Sequence, residues 1–172
     1  MGAAWGDYDN DGDMDLYLAN EGMADKLYRN DGDFSFSLVL GDNLGDTGRG
    51  RGVHWADFNN DTFLDLFISR NNQTDLFLMG DGTGSFARIP VGPGVAPGNS
   101  ASCGDLDGDG FVDVVVSRDG QSNQLLLNGL GNQTSNNWLQ VRLTGVEDNK
   151  SAIGTRVQLT AGGVTQTRII TA

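Results

Sequence analysis

One nine-residue pattern, D-x-[DN]-x-D-x-x-x-D, stands at residues 7–15, 57–65 and 105–113 of this 172-residue chain. The leading aspartates Asp7, Asp57 and Asp105 are 50 and 48 residues apart. The flanks repeat with them. Trp5, Trp55 and Cys103 stand two positions before the first aspartate. Short apolar runs follow the last one, at 16–18, 66–68 and 114–116. Each unit continues with a second apolar segment (Leu27-Tyr28, Leu76-Phe77-Leu78, Leu125-Leu126-Leu127) and a tight turn at 30–33, 80–84 or 128–131. Gly and Asn suit such turns because they tolerate positive φ. A fourth apolar segment closes the first two units, at 34–40 and 85–89.

A repeat of this length cannot bury its own hydrophobic face and must stack on its neighbours. The runs after each pattern are apolar at consecutive positions, which marks strands covered on both faces. The expected class is therefore all-β, with three four-stranded propeller blades at about 2–40, 51–90 and 100–134. The connectors fit: 41–51 is rich in Gly, and 90–100 holds Pro90, Pro93 and Pro97. The pattern then changes. Segments 138–143, 157–159 and 164–170 alternate apolar and polar residues, which predicts a half-buried antiparallel meander over 135–172. That region either closes the third blade or opens a further β-domain.

Charge narrows the function classes. The 23 acids are 21 Asp and 2 Glu, against 11 Lys+Arg, for a net charge of -12. Asp favours turns and cation loops where Glu favours helices. No basic footprint exists for nucleic acid or anionic lipid, and no apolar run approaches the ~20 residues of a membrane-spanning helix. Cys103, the one cysteine, has no partner for an internal disulfide. No signal peptide is legible at Met1, so a secreted protein would have its leader on a longer parent chain or have had it removed. Three blades are too few to close a ring of about 4–8. A fragment of a larger protein is expected, with further blades or a self-association partner covering its ends.

The pattern itself predicts metal binding. Oxygens at positions 1, 3 and 5 of a tight loop converge, and a hard cation such as Ca²⁺ takes six to eight oxygens. Position 7 offers a backbone carbonyl and position 9 a carboxylate. The candidate ligands are Asp7, Asp9, Asp11, Asp13 and Asp15 in the first loop. They are Asp57, Asn59, Asp61, Phe63 and Asp65 in the second, and Asp105, Asp107, Asp109, Phe111 and Asp113 in the third, with Asp13, Phe63 and Phe111 acting through the main chain. Up to three Ca²⁺ are expected. Gly12 and Gly110 ease the turn at position 6; Thr62 stands there in the second loop and Asn59 lowers its charge, which makes it the weakest. An EF-hand would need Glu at position 12 and flanking helices, but Leu18, Ile68 and Val116 occupy that position. Clustered acids destabilise a fold unless compensated.

These loops and strands resemble the FG-GAP/VCBS repeat known from integrin α-subunit propellers and many bacterial secreted proteins, over about residues 2–130. The form of the first repeat resembles proteins related to cartilage acidic protein. Asn137, Trp138 and Leu139, with Val141, Leu143, Gly145, Asn149, Lys150 and residues 152–157, resemble the opening of the ASPIC/UnbV domain. The resemblance implies a calcium-binding propeller, non-enzymatic and extracellular or cell-surface, that binds a protein or cell-surface ligand. It divides the chain at 134/135. The alternative is a carbohydrate-recognising module attached to a polysaccharide-acting enzyme.

Other residues read as structural. His54, the one histidine, has no partner pattern for catalysis. Trp5, Trp55 and Cys103 are expected in the core. Arg49 and Arg51 are expected as solvated charges. Sequons at Asn60, Asn72, Asn132 and Asn149 are common by chance in an Asn-rich chain.

Overall fold

The computed structural model describes residues 1–41, 43–90, 98–129, 136–146 and 148–170. It contains three antiparallel sheets and a separate hairpin, with no helix longer than a single turn among the described residues. The first sheet runs β1 (Gly2–Gly6), β2 (Asp15–Ala19), β3 (Lys26–Asn30), β4 (Phe36–Val39) in chain order. The second runs β5 (Gly50–Ala56), β6 (Asp65–Arg70), β7 (Leu76–Gly80), β8 (Phe86–Ile89). The third has β9 (Ser100–Gly104), β10 (Asp113–Ser117) and β11 (Gln124–Leu126). The hairpin is β12 (Arg156–Ala161) with β13 (Val164–Ile169).

The register is the same in every blade. Gly6 pairs with Asp15, Ala56 with Asp65 and Gly104 with Asp113. The nine-residue pattern is therefore the connection between the first two strands of each blade. Leu16 pairs with Tyr28, Leu66 with Leu78 and Val114 with Leu126. The turns close as expected, with the Asp31 N–H donating to Ser35 O and that of Asp81 to Ser85 O. These are propeller blades, and the sheets do not close into a ring.

Stacking buries the core in two layers. Between the first two blades lie Tyr8, Tyr17, Leu27, Val53, Leu64, Leu66, Ile68, Leu76, Leu78 and Phe86, with Trp55 packed against them. Between the second and third lie Phe58, Phe67, Val114 and Val116, flanked by Phe77 and Cys103. Burial of each large side chain contributes about 1.5–3 kcal/mol. The central blade has neighbours on both sides, and all six residues of β6 are buried. In β2 only alternate residues are, and among the described residues no blade lies against the other face.

Three expectations need correction. Trp5 is 55% exposed rather than in the core. Its slot faces the preceding blade: Trp55 uses it to donate a hydrogen bond to Ala4 O and to pack on Tyr8 and Tyr17. Among the described residues Trp5 makes a ring contact with the edge of Phe36 alone. Second, 138–143 forms no strand, and Trp138, Leu139 and Val141 are exposed. The meander reduces to the hairpin β12–β13, whose six pairs satisfy each other without a third strand. Third, the third blade has three strands rather than four among the described residues. Pro93, Pro97, Leu130, Gly131, Asn132 and the expected boundary at 134/135 lie outside the described residues.

Candidate metal centre

All three loops share one hydrogen-bond plan. The position-3 side chain accepts the N–H of position 5: Asp9 from Asp11, Asn59 from Asp61, Asp107 from Asp109. The position-5 carboxylate accepts the N–H of position 7: Asp11 from Asp13, Asp61 from Phe63, Asp109 from Phe111. These short-range bonds are why Asp rather than Glu recurs, since the side chain must reach a backbone two residues on. Positions 4 and 6 both take positive φ: Asn10 59°, Asn60 56° and Gly108 80°, then Gly12 100°, Thr62 86° and Gly110 87°. Thr62 is the strained one, because a β-branched residue rarely adopts that conformation.

The position-9 aspartate is a clasp as well as a candidate ligand. One oxygen accepts the position-2 N–H: Asp15 from Tyr8, Asp65 from Phe58, Asp113 from Leu106. The other accepts an N–H at the end of the third strand or just after it: Asn30, Gly80 or Asn128. Each oxygen has a second lone pair, so clasping leaves room for a cation. All three are buried. Burial pushes Asp15 and Asp65 up to about 7.

The loops differ in what surrounds them. Oxygens of Asp7, Asp9 and Asp15 lie within 4.8 Å of one another, as do those of Asp105, Asp107 and Asp109. Asp7 is fully buried, and neither of its oxygens has a hydrogen bond of normal geometry. Burial raises its pKa, with only partial help from the nearby Gly12 N–H and Thr167 hydroxyl. Asp105, by contrast, is exposed and accepts N–H bonds from Gly108 and Gly110. In the second loop Asp57 accepts from Asp61 and Thr62, while the Asn59 amide donates to Asp61. Those carboxylates are already satisfied within the loop.

Sequence reasoning missed two further sets. Asn10 donates to Thr62 O and Asn60 to Gly110 O, each 3.0 Å, so position 4 of one blade ties to position 6 of the next. The Asn60 sequon is thereby committed to a blade contact. Asp25, Asp75 and Asn123 accept the N–H of Asn20, Arg70 and Arg118, closing the far end of each blade. Their signal was present as a polar residue just ahead of each third strand. His54 is half-buried on β5, and burial lowers its pKa. Arg51 pairs with Glu21 at 3.4 Å on the surface.

The segment after the blades lies across the loops. Arg156 donates to Gly12 O and Asn136 to Asn59 O. The Trp138 ring abuts Gly110 so closely that no side chain fits there. Thr167 and Arg168 join Asp7, Trp5 and Trp55 around a pocket of about 430 Å³.

Among the described residues no helix is long and apolar enough to cross a membrane. A comparison with curated proteins finds no match. The family model for the FG-GAP-like repeat matches residues 7–68 and again 57–116. Each match starts on the first aspartate of one loop and ends in the second strand of the next blade. Together they span more than half of the chain, which belongs to the FG-GAP-like repeat family.

Proposed function

We propose that this chain is a calcium-binding propeller module of an extracellular or cell-surface protein, and that it binds a protein or surface ligand without catalysing a reaction. Asp7 carries the reading. A fully buried carboxylate without a hydrogen bond of normal geometry, beside oxygens of Asp9 and Asp15, is costly alone and favourable around a cation. The donors are all oxygen, which suits Ca²⁺ over softer metals. Asp7, Asp9, Asp11 and Asp15 would hold it in the first loop, with the Asp13 carbonyl, and their counterparts in the third. The second loop is the weakest. Three divalent ions would halve the net charge of -12. At ~1 mM calcium and a Kd of ~0.1 mM each site stabilises by about 1.4 kcal/mol.

The test is calorimetric titration with Ca²⁺ alongside melting with and without chelator. Two or three sites and a lower Tm on chelation are expected; no heat and an unchanged melt would sink the reading. Residues 137–157 resemble an ASPIC/UnbV opening, and β12–β13 would then be the first hairpin of that domain. Exposed Trp5, Phe34 and Trp138 favour glycan recognition as a second reading. A glycan array silent in millimolar calcium would count against it.

A further inference from the structure

The hairpin β12–β13 brings one arginine onto the first loop and a second between the first loop and the second. Position-6 carbonyls follow a rule along the blades: Thr62 O takes Asn10 and Gly110 O takes Asn60, each from the preceding blade. Gly12 O takes Arg156 instead. The hairpin thus fills, on the first loop, the place a neighbouring loop fills on the others. Twelve residues further on, Arg168 lines two pockets, one with Asp7 and one with Asp57. Its guanidinium is tied down by Thr167 O at 2.9 Å and the Gln166 side chain at 3.2 Å. It is largely buried and interacts favourably with both Asp57 and Asp7. Thr167 beside it is 1% exposed.

We propose that Arg168 is a tethered competitor for the cation of the first loop, so that filling this loop and seating β13 oppose each other. Two like-signed groups cannot both lie close to Asp7 in a poorly screened site without repulsion. With the loop empty, Arg168 partly compensates Asp7 and holds the hairpin down. A divalent ion takes over that compensation and pushes the guanidinium away. Arg168 therefore sets the first loop's affinity, and calcium sets how firmly the hairpin covers the loop face. The third loop's Asp105, Asp107 and Asp109 lie at the surface and line neither of Arg168's pockets, so that loop is spared. The inference rests on the calcium reading of the preceding subsection.

The test is calcium calorimetry on the full chain, comparing wild type with Arg168→Gln, Arg168→Lys and Asp107→Ala. Asp9→Ala, run beside these, removes the first loop's isotherm and so identifies it, as Asp107→Ala identifies the third's. Arg168→Gln should tighten the first loop about tenfold and leave the third unchanged. Arg168→Lys, which keeps the charge, should bind as wild type does. In wild type, calcium should speed amide hydrogen exchange over Val164–Ile169. Unchanged or weaker binding in Arg168→Gln, or slower or unchanged exchange at β13, overturns the proposal while third-loop binding upholds the calcium reading. Absence of heat at every loop overturns both.

Discussion

The first and third loops both carry aspartates at positions 1, 3, 5 and 9, yet one is roofed and the other open. Asp7 is fully buried beneath Thr167 and Arg168 and beside Trp55, whereas Asp105, Asp107 and Asp109 all lie at the surface. The side-chain bonds at positions 3, 5 and 9 are the same in the two loops, so the difference lies at position 1 and in the neighbours around it. Packing shows the same asymmetry. Among the described residues the layer between the first two blades holds twelve buried residues and the layer beneath the third blade four, so the first end is the more closely packed. A motif that is a solvated turn at one end becomes, at the other, a buried carboxylate without a hydrogen bond of normal geometry.

The largest expected effect is on pH dependence without calcium. Asp15 and Asp65 sit near 7 when folded, against 3.8 for the ordinary side chain. Between these values the folded state holds protons that the unfolded state has released. Stability should therefore fall as pH rises from about 4 to about 7, by about 3 kcal/mol for each of the two groups. Urea unfolding in chelator at several pH values measures it. Calcium should remove the fall, and Asp15→Asn should about halve it, leaving the share of Asp65. A stability that climbs over this interval would mean the buried end is not as charged as drawn.

Next is packing. Leu66→Ala in the first layer should cost about 3 kcal/mol, and Leu126→Ala at the thinner end about 1 kcal/mol. Equal losses would erase the asymmetry. Smaller again is a sign reversal at Asp7. Asp7→Asn should raise stability by about 2 kcal/mol in chelator, because it removes a buried charge, and lower it in millimolar calcium. Asp105→Asn should stay within about 0.5 kcal/mol in chelator, since its carboxylate is solvated. Melting curves with and without calcium decide this. The smallest effect is at Thr62→Gly. Relief of a strained φ of 86°, offset by glycine's entropy, should gain about 1 kcal/mol and raise the Tm. Its N–H bond to Asp57 and its carbonyl bond from Asn10 are main-chain and survive.

Blade architecture was legible because every blade repeats its own local instructions. The 50- and 48-residue periods, the runs at 66–68 and 114–116, and the Gly-bearing turns each encode strands and hairpins within a few residues. The candidate ligands were legible for the same reason, since an Asx side chain reaches only the next turn. Segment 138–143 was misread because alternation predicts a face to be covered but not a strand to pair with. Trp5 was misread because its slot is buried only where a preceding blade exists. Asn10 and Asn60 escaped notice because their partners lie 52 and 50 residues away.

Local spacing alone determined that this chain makes β-blades with acidic loops at one end, because turn chemistry and strand alternation act over two to nine residues. Tertiary structure alone decided which loop is buried, where Arg156 and Arg168 come to rest, and that Asp7 lacks a well-aligned donor. Burial and charge compensation are properties of what packs above a residue. The hairpin that supplies both lies about 150 residues along the chain from the loop it covers.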